Sequence, residues 1–474
     1  VPELFLSVPG AEYFAQPLWY YDYEYPEEQE RGLDFREDLF TPGFFRLRLE
    51  ADSSLAVIIS TSNPASRGAW ELFTRERQRR KKLIRDLPDQ AELPVQLTLA
   101  ADQFLVRSFQ GQRSILAGYH WFTEWTRDAL IALPGITLST GRPGIAQDVL
   151  QAYAQNVHQG MLPNRFSESG EPAEYNTVDA ALWLFVASYE YWLCTSDQAF
   201  ILKVMLPALK TIIAAYMQGT RYNIHMDGDH LIYAGTPGVQ LTWMDSKVGD
   251  WVVTPRQGKA VEINALWYNA LRILAVFTAL SGQAEQAGYY EHKAGLVQQN
   301  FNRLFWLEEK QHLCDCIDGD FKDTALRPNQ IFALSLPFVL LSSEKAQAVL
   351  QAVENQLLTP VGLRSLSPQD PDYRPHYTGG PLERDSSYHQ GTAWPWLLGP
   401  YLRALICIKG SDGLEQAREI LSSMSIHLRE AGIGSVSEIF DADWPHRPRG
   451  CIAQAWSVAE LLRVYMQNAA ESLM

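Results

Sequence analysis

The chain has 474 residues, enough for about three domains, or two if one is a large single-core architecture. Apolar residues make up 46% and charged residues 20%, an ordinary globular balance with ample core material. The net charge of −15 lacks the basic footprint that nucleic acids and anionic membranes require, and sets both aside as partners.

The first sixty residues read as strands. WYYDYEYP at 19–26, GFFRLRLEA at 43–51 and SLAVIISTS at 54–62 are alternating or β-branched runs separated by Pro, Gly and acidic turns. They are too few to bury a sheet alone, so residues 1–65 are expected to be the end of a β-domain or a β-appendage. The basic run RERQRRKKLIR at 75–85 lies in a helix expected over about 66–86, where a solvated face explains its charge.

Twelve more helices follow, at about 92–108, 127–140, 142–158, 176–194, 197–218, 258–281, 283–304, 328–338, 343–357, 390–408, 412–427 and 450–469. VDAALWLFVASYEYW is apolar nearly all round, as a buried helix is, whereas QAEQAGYYEHKAGLVQQNFNRLF is amphipathic. Alternate connections are short: TGRP, TSDQ, SGQ, LSSE and KGSDG. The others, at 109–126, 159–175, 219–257, 305–327, 358–389 and 428–449, are long. In antiparallel helix pairs this parity puts every long connection at one end. Residues 66–474 are therefore expected to form an (α/α)6 barrel with its loops at one mouth. An α-solenoid is the runner-up, weakened by the lack of a fixed-period repeat.

The long loops are rich in rings and acids. They hold Trp121, Trp125, Trp243, Trp251, Trp306 and Trp444, five tyrosines (Tyr119, Tyr175, Tyr373, Tyr377 and Tyr388) and many carboxylates, among them Asp245, Asp250 and Glu438. Rings plus carboxylates without a basic cluster suit a neutral polyhydroxylated ligand, whose C–H faces stack on rings and whose hydroxyls donate to carboxylates. No phosphate loop, dinucleotide glycine pattern, GxSxG or HExxH occurs. Two carboxylates on different loops would suit an inverting glycosidase, whose acid and base stand about 6.5–9.5 Å apart to hold a water. The loops contain too many acids for spacing alone to choose the pair.

Five cysteines, Cys194, Cys314, Cys316, Cys407 and Cys451, show no framework spacing, so free thiols and no metal are expected. With no signal-peptide pattern and no apolar run of about 18 residues read in the sequence, a soluble, cytoplasmic chain is expected. The chain begins at Val rather than Met, as a fragment or processed form would.

Five segments carry a resemblance: AGYHWFTEWTRDALIALPG (117–135), MLPNRF…EYNTVDAALW (161–183), QLTWMDSKVGDWVVTPRQGKAVEINALWYNAL (240–271), YHQGTAWPWLLGPY (388–401) and SEIFDADWPHRPRGCIAQAWSVAELLR (437–463). In this order they resemble the C-terminal glucosidase domain of glycogen debranching enzymes, the amylo-α-1,6-glucosidase family. YEYPEEQERGLDFREDLFTPGFF resembles the end of the β-sandwich preceding that domain in bacterial members, whose earlier part this chain does not contain. The resemblance implies Asp245 as general acid and Glu438 as general base of an inverting, exo-acting, cofactor-free hydrolysis. That reaction removes α-1,6-linked glucose stubs from glycogen, limit dextrin or branched malto-oligosaccharide and releases β-glucose.

WTRD also resembles the glucoamylase clamp for a terminal glucose. It implies substrate binding by Arg127 and Asp128, with Trp121 and Trp125 as stacking surfaces. Asn164, Arg165 and Asn176 are expected to line the pocket, with Trp243 beside the acid and His389, Gln390 and Trp394 as further sugar contacts. Trp394 and Trp396 fit a core at helical spacing equally well. Glu262 opens a helix, where capping competes with function. Rival readings are a glucoamylase-like α-1,4-glucosidase, an inverting phosphorylase, and a non-catalytic glycan-binding protein.

Overall fold

The computed structural model describes residues 3–64, 68–88, 90–107, 111–166 and 173–471. Small parts of the expected loops at 109–126 and 159–175, and the ends of the helices at 66–86 and 92–108, lie outside the described residues. The chain divides into two units, Val1–Asp86 with Thr378–Pro381, and Leu87–Tyr377 with Leu382–Met474.

In the first unit, alternating aromatics make two antiparallel pairs: β1 (Phe5–Ser7) with β4 (Ile58–Ser60), and β2 (Glu12–Glu24) with β3 (Arg36–Arg46). Cross-strand rings reinforce the long hairpin, with Phe14 and Phe44 stacked at 5.2 Å and Trp19 and Phe40 tilted at 5.1 Å. The strand expected at 43–51 lies earlier, because the aromatic pairs set its register. Residues 47–57 form no strand. Between β2 and β3 the short α1 (Pro26–Glu30) opens on Pro, whose fixed φ suits a first helical turn. The basic run lies on α2 (Ala69–Arg85), which has no buried residue and pairs Glu76 with Arg79 at 2.7 Å and Arg80 at 3.2 Å.

The second unit is helical: α3 (Glu92–Gln103), α4 (Thr126–Leu133), α5 (Pro143–Gln155), α6 (Ala180–Thr195), the one-turn α7 (Gln198–Phe200), α8 (Leu206–Gln218), α9 (Val261–Leu280), α10 (Ala284–Leu304), α11 (Phe332–Ser335), α12 (Ser343–Gln356), α13 (Pro381–Ser387), α14 (Leu398–Lys409), α15 (Ser411–His427) and α16 (Ala455–Glu471). Each of the twelve helices expected here has a counterpart. A single π-helical turn, Ile201–Met205, joins α7 to α8.

Packing passes from α4 to α6, α9, α11, α14 and α16, and α16 returns to α4. These six are the apolar helices: all eight residues of α4 are buried, as are Ala180–Ser188 of α6 and Val261–Leu271 of α9. The amphipathic helices pack on them, α5 on α6, α8 and α10 on α9, and α12 and α15 on α14. On α10 the buried Ala287, Tyr290, Ala294, Val297 and Phe301 recur at helical spacing, so one stripe faces the core. Each large apolar side chain so buried contributes roughly 1.5–3 kcal/mol. Against the expectation of no long apolar run, Gln198–Gln218 and Val261–Leu280 are long and apolar enough to cross a membrane. Most of the second is buried inside the protein, the setting of a core helix.

Four of the expected helices begin later, or are shorter, than their apolar pattern suggests. Residues 176–179 and 388–394 stay extended or turned, and α16 starts at Ala455. Regular helix in the 328–338 segment is limited to α11, preceded by a 3-10 turn and followed by Pro337. The irregular stretches carry the candidate site residues. Short strands knit the long loops together: Leu358–Thr359, Gly362–Arg364, Ala393–Trp394, Ile439–Phe440 and Pro448–Arg449 form one antiparallel sheet.

Candidate active site

Arg127 and Asp128 occupy the first turn of α4, where Asp128 complements the positive end of the helix. Arg127 is 4% exposed and divides its donors three ways. Its Nε donates to Asp179 Oδ2 at 2.7 Å, Nη2 to Thr177 Oγ1 at 3.3 Å and Nη1 to Asp245 Oδ2 at 3.4 Å. Asp179 is fixed in turn by the Thr177 hydroxyl at 2.5 Å. Burial opposes the guanidinium charge, but the Asp179 and Asp245 carboxylates outweigh it and hold Arg127 above its ordinary range.

Asp245 follows Trp243 in the loop before α9. Protein atoms surround it on most sides, yet its side chain remains 36% exposed, so solvent reaches this carboxyl while its neighbours are sealed. Burial raises its pKa, the Arg127 charge opposes the rise, and Asp179 adds to it. Trp243 is buried. Its indole Nε1 donates to Asn329 Oδ1 at 2.7 Å, and its ring meets His389, Trp394 and Trp396 edge-on at 5.1–5.3 Å.

Glu438 precedes the strand Ile439–Phe440 and is 3% exposed. Tyr388 donates its hydroxyl to Oε1, and the Cys451 backbone N–H donates to Oε2 at 2.8 Å. Burial pushes the carboxyl up to about 7, against these two hydrogen bonds and with a further rise from the Asp245 charge. Asp128 is also pushed up to about 7, first by burial, with Arg127 opposing and Glu438 and Asp245 adding to the rise. Gln454 Nε2 donates to Asp128 Oδ1 at 3.1 Å. Asp128 and Asp245 both feel the Arg127 charge, and repulsion among Asp128, Asp245 and Glu438 favours keeping a proton in the group.

Gly450 sets the seat of Glu438. Its φ is +64°, and a Cβ there would stand 2.4 Å from Glu438 Oε2. Gly450→Ala is expected to displace the carboxylate and lower kcat by roughly 10²-fold with the fold retained. A kcat within two-fold of wild type, beside an unchanged circular dichroism spectrum, would show that this approach is not demanding.

The remaining candidates divide by environment. Trp121 is 51% exposed, and Phe122 lies between it and Trp125, with ring centroids 6.3 Å from each. Trp125 pairs with Arg165 in an isolated antiparallel bridge. Asn164 anchors this corner: its N–H donates to Glu174 O at 2.7 Å and its carbonyl accepts from Thr126 N at 2.9 Å. Arg165 faces Glu174 at 3.8 Å, both about half exposed. Among the described residues, the buried side-chain oxygens of Asn164 and Asn176 have no donor.

His389 is fully buried and stacked on Trp394 at 5.1 Å, and both its ring nitrogens lack partners. Burial first, then the charges of Arg327, Arg127 and Arg256, hold it neutral. Gln390 accepts from Arg327 Nη2 at 2.8 Å and donates to Val253 O at 3.0 Å, spending its amide on the protein itself. Trp394 is 1% exposed and pairs with Leu363 in the loop sheet, and Trp396 is equally buried. Glu262 is a partner of buried Arg256, whose Nε donates to Asp315 at 2.7 Å. Cys314 and Cys316 are buried free thiols.

Sequence reasoning left Asp179, which anchors Arg127, out of the candidate site, and named Tyr388, which touches Glu438, only as one of five loop tyrosines. Tyr388 had a visible signal in its place directly before His389 in a quoted segment. Asp179 was hidden inside an apolar helix pattern.

Residues 99–463 match the family described as amylo-alpha-1,6-glucosidase, and residues 1–56 match that described as glycogen debranching enzyme N terminal. A glycogen debranching enzyme of Saccharomyces cerevisiae is 26% identical over 59% of this chain, and the match covers 24% of that protein. The chain thus spans about a quarter of the length of the curated relative it matches. With the family match extending over most of its length, and over every residue of the carboxylate cluster, this chain belongs to the amylo-alpha-1,6-glucosidase family.

Proposed function

We propose that the chain is an inverting glycoside hydrolase that removes single α-1,6-linked glucose units from branched α-glucan such as glycogen limit dextrin. The observation that carries this reading is the pairing of Asp245 and Glu438. They come from loops 193 residues apart, yet the Asp245 charge raises the proton affinity of Glu438 through a largely desolvated site. The circuit of helix contacts from α4 round to α16 supports an (α/α)6 barrel beneath them. Free, unpaired cysteines fit a reducing, cytoplasmic setting.

In this mechanism Asp245 protonates the glycosidic oxygen as the C–O bond breaks. Glu438 takes a proton from the water that attacks the anomeric carbon from the other face, and β-glucose leaves. Arg127 and Asp128 grip the terminal glucose. Only the pair carrying a single proton can react, since the doubly protonated pair has no base and the doubly ionised pair no acid. The ion pair with Arg127 favours ionised Asp245, while burial and the Asp245 charge push Glu438 up to about 7. In the free protein the shared proton therefore rests mainly on Glu438. Bound substrate must move it to Asp245, which desolvation of the 36% exposed carboxyl would promote.

Incubation with glycogen limit dextrin, followed by NMR of the product anomer, tests the reading. β-Glucose at early times is expected, and Asp245→Asn is expected to abolish it. Release of α-glucose would overturn inversion, and undiminished release by Asp245→Asn would overturn the role given to that acid.

A further inference from the structure

Residues 438–451 form a hairpin with the general base at its foot. Glu438 N donates to Cys451 O at 2.8 Å, Ile439 pairs with Arg449 and Phe440 with Pro448, and Asp441 N donates to Arg447 O at 2.9 Å. The turn that follows carries Trp444, which is 86% exposed. Two residues earlier Ala442 is fully buried, packed with Ala393 and Phe440.

The turn is braced on every side. Arg364 Nη2 donates to Ala442 O at 3.2 Å, Tyr373 donates its hydroxyl to Asp443 Oδ1 at 3.0 Å, and Ala442 N donates to Pro375 O at 2.8 Å. Tyr377 N and Arg449 Nε both donate to the Asp441 carboxylate, at 2.9 and 3.1 Å. So large an exposed ring on so fixed a turn gains nothing from folding. It is instead held ready to stack, with little ordering entropy left to lose. Hydrogen-bonding groups flank it, since the Asp443 side chain is 47% exposed and His446 lies at the same turn.

We propose that Trp444 is the platform of an outer subsite for an α-glucan chain, with its indole face against the C–H face of a sugar ring and Asp443 accepting a hydroxyl proton. Three residue steps separate Glu438 from Asp441, roughly 10 Å at about 3.3 Å per residue. A sugar ring stacked on Trp444 would therefore lie outside the one being cleaved, as a neighbouring unit of the same glucan. The ligand class rests on the hydrolase reading above.

Two substrates separate the roles. α-D-Glucosyl fluoride offers one glucose, whereas a malto-oligosaccharide bearing a single α-1,6-glucose offers the main chain as well. For Trp444→Ala, kcat/KM on the branched substrate is expected to fall roughly ten-fold relative to that on the fluoride, and Trp444→Phe, which keeps a ring, to restore it. Calorimetry with unbranched maltoheptaose is expected to show a matching rise in Kd. If both substrates respond alike and maltoheptaose binds the alanine variant as it binds wild type, the subsite is overturned while the hydrolase reading stands. If no substrate yields glucose but maltoheptaose affinity still depends on Trp444, the subsite stands and the hydrolase reading falls.

Discussion

On the proposed mechanism, Glu438→Gln is expected to lower kcat on branched dextrin by about 10²–10⁴-fold while leaving KM nearly unchanged, because glutamine keeps the shape of the seat but cannot take a proton from water. The hydrogen bonds from Tyr388 and Cys451 hold the carboxylate in place and stabilise its ionised form against burial. A substrate whose leaving group needs no protonation distinguishes base from acid. On α-D-glucosyl fluoride, Asp245→Asn is expected to regain much of its rate and Glu438→Gln is not. The reverse ranking would exchange the two roles, an outcome with a stated physical basis in the Arg127–Asp245 ion pair.

The pH profile follows from the same pair. The proposed mechanism needs one proton on the pair, so a bell-shaped rate is expected. Glu438 is pushed up to about 7, and the last proton leaves the pair as pH rises through that value, so activity falls on the alkaline side near neutrality. The acidic limb lies where Asp245 takes up the second proton. Tyr388→Phe removes a hydrogen bond that favours the ionised base, so the alkaline limb moves to higher pH in that variant.

Asp315→Ala costs about 3–5 kcal/mol of stability, the largest effect expected away from the reacting groups. Asp315 is 2% exposed and accepts from Arg256 at 2.7 and 3.2 Å and from Asn329 Nδ2 at 2.7 Å, with Arg327 at 3.9 Å. Its removal leaves Arg256 bonded to Glu262 and takes from buried Arg327 its nearest carboxylate, Asp323 and Asp370 acting only through their charge. Asn329 is also the acceptor for the Trp243 indole, so the loss spreads toward Asp245. Denaturant unfolding reads the stability change, and kcat of the folded fraction reads the spread. A loss below about 1 kcal/mol would show that water replaces the missing partner. Asp315→Asn keeps two acceptor-side contacts and is expected to fall between.

Apolar period alone was enough to place the helices, because six of them are buried on nearly every face and the others carry a single stripe. It overran at 176–179 and 390–394, where Asp179 and Gln390 lie in irregular backbone. The loop strands were not legible, since pairs such as Ala393–Trp394 with Ile439–Phe440 are too short for any alternation to show. Asp245 and Glu438 were legible only through extended motifs. Their surroundings depend on contacts across tens to hundreds of residues: Arg127 with Asp179, Asp128 with Gln454, Trp243 with Asn329. Gln390 and Trp394 are bound into the protein's own framework, a distinction that residue type does not carry.

The closure of α16 on α4 has a kinetic side. Arg127 stands at the start of α4, while Glu438 and Gln454 come just before α16, so the cluster joins opposite ends of its unit. Contacts of such sequence separation form late, after the entropy of closing the intervening chain has been overcome. A ribosome-bound chain that has not yet released residues 438–463 holds Asp245 without its partner carboxylate. On the proposed mechanism every earlier intermediate is then catalytically silent, and activity is expected to arise with the docking of α16.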